Sequence, residues 1–226
     1  MSIADETENL PNGMNAQRPS GRLGRPVDPA KEAKILEAAR SAFLEHPYDR
    51  ISMDALASRA GVSKVTLYAK YKSKDQLFVA AMSVGCNQIY ERAMLEAEAG
   101  KPLAETLLRL GVDFVTMMLE PEISALHGVM MQALATRPEL PRAFFERVVH
   151  RSTQILADAL ALANKRGEIA CDDHYRAAVQ FIAMVQGEFR YKQELGIASG
   201  VDEAELTTFV ASCVQVFLRG YAKTPR

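Results

Sequence analysis

From Pro29 onward, apolar residues recur every three or four positions, the period of a helix with one buried face. Ile35, Ala38, Ala39, Ala42 and Phe43 form one such stripe. They predict a helix from about Pro29 to Glu45, with Asp28 as N-cap, Pro29 at the first helical position and Pro47 as its stop. A short Ala/Leu-rich run, Met53 to Ala60, follows behind Ser52 as N-cap. Gly61-Val62 interrupts it, and Ser63 caps a further helix from Lys64 to about Lys70. Ser73 caps a long helix through Leu77, Phe78, Ala81, Met82, Cys86 and Ile89 towards Glu98, on the order of 35–40 Å at the usual rise. From Lys101 the pattern is helical throughout. Helices are predicted at 102–119, at 121 to about 137, at about 142–165 with Gly167 as the C′ residue, at about 173–195 and at about 202–222. The fold class is all-α, with about nine helices.

Two short helices joined by a tight turn containing glycine describe a helix-turn-helix, whose second helix can lie in the DNA major groove. Here the spacing turns Leu56, Ala57, Ala60, Val62, Leu67 and Tyr71 inward. Lys64, Val65, Thr66, Tyr68 and Lys70 face out. Two ammonium groups, a hydroxyl, a phenol and an apolar tip suit phosphates and base edges. The same pattern also fits a helical hairpin with a solvated basic face.

Charge separates these. Net charge is −1 over 226 residues, yet residues 17–74 hold 12 Lys and Arg against 6 Asp and Glu, and the remainder is acidic. A basic head on an acidic body suits a polyanion partner. Residues 1–16 are polar and acidic, which predicts a disordered tail and no signal peptide. Residues 18–26 set Arg18, Arg22 and Arg25 among Gly and Pro, either as an arm for the DNA minor groove or as a solvated linker. No apolar run approaches a membrane span, and three widely spaced cysteines fit a reducing cytoplasm.

The residues Leu56-Ala57, Arg59 to Lys64, Thr66-Leu67-Tyr68, Tyr71, Ser73-Lys74 and Leu77-Phe78 closely resemble the DNA-binding domain of the TetR/AcrR family of bacterial transcriptional regulators. The likeness extends upstream through Ile35-Leu36, Ala38-Ala39 and Ala42-Phe43. The family usually has glycine in the loop that here reads His46 to Arg50, a departure in turn geometry away from the DNA face. The resemblance implies a helix-turn-helix domain at 28–75 after a tail and arm at 1–27, then an effector-binding and dimerisation domain at 76–226. It implies base contacts by Lys64, Val65 and Tyr68, and phosphate contacts by Ser52, Thr66, Tyr68, Lys70 and Lys74. Ser63 caps the reading helix, and Arg22 and Arg25 serve the arm. The expected partners are a palindromic double-stranded operator, a second copy of the chain and an unidentified small-molecule effector, with no cofactor and no membrane.

The last two helices are apolar on more than one side, which fits either a central position or a dimer interface. The resemblance favours the interface, carried by Phe181, Val185, Phe189, Phe209, Cys213, Val216 and Phe217. For the effector, the resemblance implies a pocket whose candidates are Phe114, Met117, Met118, His127, Met130, Met131, Phe145 and Met184, and methionine and phenylalanine adapt to varied apolar ligands. Arg109, Gln132 and Arg190 are further polar candidates. His46, His127, His150 and His174 make no ligand pair, and no nucleophile or phosphate-loop motif occurs, so no metal site and no enzyme are expected. Cys171, beside Asp172-Asp173, is the one thiol placed for redox chemistry. The expected function is a cytoplasmic, nucleoid-associated repressor that a small molecule releases from its operator. A ligand-independent architectural DNA binder and an all-helical enzyme are the alternatives.

Overall fold

The computed structural model describes residues 29–133, 136–197 and 201–222. The acidic tail, the arginine arm with Arg22 and Arg25, and the Asp28 cap lie outside the described residues. Three helices form the head: α1 Pro29–Glu45, α2 Met53–Arg59 and α3 Lys64–Lys70. The α1 stripe buries Ile35, Ala39, Ala42 and Phe43, as its spacing predicts. Between α1 and α2 a 3₁₀ turn, Tyr48–Arg50, puts the Tyr48 ring into the core. There Phe78 stands edge-on to both Phe43 and Tyr48, with ring centroids 4.8 and 5.5 Å apart.

The long helix α4, Lys74–Glu98, belongs to two cores at once. Its first turns, with Leu77, Phe78 and Met82, pack in the head, whereas Tyr90 and Ala93 pack in the body. The expected division after residue 75 is therefore not a break in packing. The head core takes in Leu126, Met130 and Ala133 from α6 (Pro121–Ala133), Leu140 from α7 (Glu139–Phe144) and Val148. A head of three short helices has too little apolar surface to close a core alone, and α4, α6 and α7 complete it. Two ion pairs join the same parts: Arg40 to Glu122 at 2.6 Å and Arg137 to Asp49 at 3.0 Å.

The body is built from α5 (Leu103–Leu119), α8 (Arg151–Arg166), α9 (His174–Gln186), α10 (Phe189–Glu194) and α11 (Glu203–Gly220) around Leu107, Leu160, Phe181, Val210 and Phe217. Two of the predicted helices are interrupted. The one expected at 142–165 starts earlier, at Glu139, because Pro141 falls in the first turn, where no backbone donor is needed. It then passes through a π-helical stretch, Phe145–His150, before α8. The one expected at 173–195 breaks at Gly187, with φ 47°. A Cβ there would come within 2.8 Å of the Phe209 ring, so α11 lies against bare backbone at the break. Helix α6 is described to Ala133 rather than Arg137, while Gly167 ends α8 at φ 81° as its sequence predicts.

Candidate DNA-reading face and internal cavity

The helix-turn-helix is assembled from local signals. The Ser52 Oγ accepts from the Ala55 N–H, opening α2. Ala60 and Gly61 close it: Gly61, at φ 65°, lets the Gly61 and Val62 N–H groups turn back to the carbonyls of Ser58 and Ala57. The Ser63 Oγ then accepts from the Thr66 N–H and lies 2.8 Å from the Thr66 hydroxyl, which opens α3. Leu67 fixes α3 to the core from its inner side, and Tyr71 is buried just past its end. Ser63, Lys64, Val65 and Tyr68 are left on the outer face, with Val65 79% and Tyr68 43% exposed. An apolar side chain so exposed has no work inside the fold.

The cations around this face differ in how free they are. Lys64 pairs with Asp54 at 2.5 Å, and Lys70 pairs with Glu32. The Lys64–Asp54 pair is exposed, and such pairs are worth little, whereas Lys70 and Glu32 are half-buried. Lys72, which sequence reasoning passed over, lies with its Nζ 3.3 Å from the Tyr68 carbonyl at the end of α3. The Lys74 ammonium, expected at a phosphate, donates to the Tyr48 and Ile51 carbonyls at 2.6 and 2.8 Å and sits 4.3 Å above the Tyr48 ring. Its pKa is lowered, chiefly by burial and then by the neighbouring Arg137 charge. Ser52 also turns its oxygen to its own helix.

Behind the head lies a cavity of about 430 Å³. It is enclosed by α4 (Met82, Cys86, Tyr90), α5 (Phe114, Met117, Met118), α6 (Ile123, His127, Met130, Met131), the α7–α8 segment (Pro141, Phe144, Phe145, Val148, Val149, Ser152, Thr153) and the α9–α10 segment (Ile182, Gln186, Arg190). Seven of the eight effector candidates line it. Met184 does not: it lies on the other side of α9, where its carbonyl meets the Cys213 thiol. Of the polar candidates, Arg190 lines the cavity; Arg109 pairs with Glu96 at 2.6 Å, and Gln132 is exposed elsewhere. The sequence offered no signal for Ser152 or Thr153, whose helix position reads as polar surface.

Burial lowers the His127 pKa, with the Arg190 charge adding to the effect and Glu194 opposing it. Burial also pushes the Cys86 thiol up to about 11, so it faces the cavity as a small apolar group rather than a nucleophile. The Ser152 Oγ is buried with no hydrogen-bond partner.

The expected dimer residues are mostly interior. Phe181, Val185, Phe189, Cys213 and Phe217 are buried within the single chain, and Phe209 packs on Phe189 at 5.3 Å. Only Val216 stands out, 60% exposed. Val179 on α9, 45% exposed, is an outward apolar residue the spacing did not single out. Cys171 is buried, with its backbone N–H and carbonyl both hydrogen-bonded by the Asn164 side chain, and burial raises its pKa. That environment disfavours a redox thiolate. Among the described residues no group of His, Cys, Asp and Glu could hold a metal, and no helix is long and apolar enough to cross a membrane.

A helix-turn-helix with an exposed reading helix, carried on a wholly helical body, defines a DNA-binding transcriptional regulator. Residues 35–81 match the bacterial regulatory proteins of the tetR family, and residues 105–223 match the AefR-like transcriptional repressor C-terminal domain. The chain belongs to the TetR family of transcriptional regulators. It is similar to an HTH-type transcriptional regulator of Mycobacterium tuberculosis, 29% identical over 150 residues that span 65% of this chain and 71% of the relative. Among solved structures it is similar to the flavonoid-responsive regulator FrrA, with a TM-score of 0.66, 28% identity and coverage of 87% of this chain and 99% of the other. A TetR-family regulator from Mesorhizobium loti shares the fold at a TM-score of 0.69, with 24% identity over 85% of this chain and 97% of that one.

Proposed function

We propose that the protein acts as a homodimeric repressor that a small molecule, bound in the cavity, releases from a roughly palindromic operator. Lys64, Val65 and Tyr68 reach base edges, while Ser63, Thr66, Lys70 and Lys72 meet phosphates. Ser52 instead caps α2 at the surface, and Lys74 holds the turn before α2 from inside the head. Two copies join through the outer faces of α9 and α11, around Val179 and Val216, and set the spacing of the two heads.

One observation carries the regulatory part of this reading. Met82, Met130 and Val148 line the cavity and also belong to the core that holds the head. A ligand that moves these side chains changes the packing beneath α1 and α4. A ligand preferring the body state with misplaced heads weakens DNA binding by its differential affinity for that state.

Footprinting on the DNA flanking the protein's own gene tests the reading. A protected palindrome that is lost on adding a cavity ligand supports it. A ligand that binds the protein and leaves protection unchanged refutes the effector role.

A further inference from the structure

The cavity is unusual in its charge as much as in its grease. Among the described residues no aspartate or glutamate lines it, and its one arginine, Arg190, already donates to Glu194 at 2.9 Å. His127, the other basic group, is held towards its neutral form by burial and by that same arginine. An anionic ligand would have to draw the exposed Arg190 away from Glu194, and a cationic one would find no carboxylate on the wall. Burying either without a counter-charge is strongly unfavourable.

Most of the rest of the wall is apolar, and sulfur and aromatic rings make up half of its lining residues. Five methionines and Cys86 face three phenylalanines and Tyr90. Thioethers make favourable contacts to aromatic edges and adjust to their shape. Within this wall Ser152 is 4% exposed, and its hydroxyl has no partner. Buried hydroxyls are nearly always satisfied, so an unpartnered one on a cavity wall is a candidate contact for a bound group. The Thr153 hydroxyl beside it is already committed to the Val149 carbonyl at 2.8 Å.

We infer that the cavity selects an uncharged aromatic molecule bearing a hydroxyl or carbonyl group, which Ser152 anchors by a hydrogen bond. The inference rests on the effector reading above and names the chemistry of that same site.

The test is calorimetric titration of the full-length protein at pH 7.5 with four compounds of one shape: 4-phenylphenol, biphenyl, biphenyl-4-carboxylate and biphenyl-4-ylmethylammonium. The phenol should bind at least about tenfold more tightly than either charged compound. Ser152→Ala, which removes a hydroxyl without a partner and so should keep its melting temperature, should lose about tenfold for the phenol and nothing for biphenyl. A charged compound that equals the phenol overturns the inference, as does no binding by any of the four, or an unchanged phenol affinity in Ser152→Ala. These readouts need no DNA. A phenol that binds through Ser152 without releasing the operator would sink the effector reading alone.

Discussion

The Lys74 ammonium lies 2.6 Å from the Tyr48 carbonyl oxygen and 4.3 Å above the same residue's ring. One side chain at the start of α4 thus holds the turn between α1 and α2, and with it the angle at which α3 is presented. Lys74→Met keeps the apolar stem and removes two charged hydrogen bonds from a half-exposed site, which should cost about 1–2 kcal/mol. Thermal denaturation should show the loss, and operator affinity should fall no further than the destabilisation of the head explains. A variant with wild-type melting and abolished binding would return Lys74 to direct phosphate contact.

Tyr68 and Val65 have the opposite character, because both are exposed and hold nothing together. Tyr68→Ala should leave the melting temperature within about a degree and lower operator affinity by roughly 1–3 kcal/mol, the worth of one good base contact. Fluorescence anisotropy with a labelled operator, alongside thermal denaturation, separates the two quantities. If Tyr68→Ala binds like the wild type, α3 does not read DNA through this face.

The head was legible in the sequence because its signals are local. Ser52, Ser63 and Ser73 each cap the helix that follows, and Gly61 allows the turn that a side chain would strain. The cavity was legible only in part. Four of its five methionines were found through the family resemblance and Met82 was not, while Ser152 sits on a helix face that becomes a wall only when α4 and α9 arrive from elsewhere in the chain. Met184 failed for the same reason, since two apolar stripes on α9 do not say which one meets the cavity. The π-helical stretch had no signal, because Phe145–His150 reads as ordinary helix.

The expected dimer residues show what periodicity leaves open. Apolar residues on several sides of α9 and α11 fitted either a central position or an interface, and Phe181 and Phe217 meet edge-to-face inside one chain with centroids 5.4 Å apart. The outward residues are smaller. Replacing Val179 and Val216 together by glutamate should leave a folded monomer by light scattering, since like charges then meet across the pair. Phe181→Ala should instead cost about 3–5 kcal/mol of stability through the space left in the core. A double glutamate variant that stays dimeric would move the interface to another face.

His127 gives the cavity a pH dependence whose sign is fixed by its surroundings. Its folded pKa lies below the ordinary 6.5, because burial and then Arg190 disfavour the imidazolium. Below pH 6.5 the unfolded chain therefore takes up a proton that the folded chain refuses, and stability falls with pH until the folded imidazole also protonates. Above pH 6.5 both states are neutral at this residue, and the penalty is absent. The melting temperature of the wild type should thus drop between pH 7 and 5 by more than that of His127→Gln, whose side chain does not titrate. Arg190 and Glu194 sharpen the comparison. Arg190→Gln removes the charge that opposes protonation and should shrink the wild-type drop, whereas Glu194→Gln removes the opposing carboxylate and should enlarge it. Parallel pH profiles for wild type and His127→Gln would show that the imidazole meets solvent rather than the cavity wall.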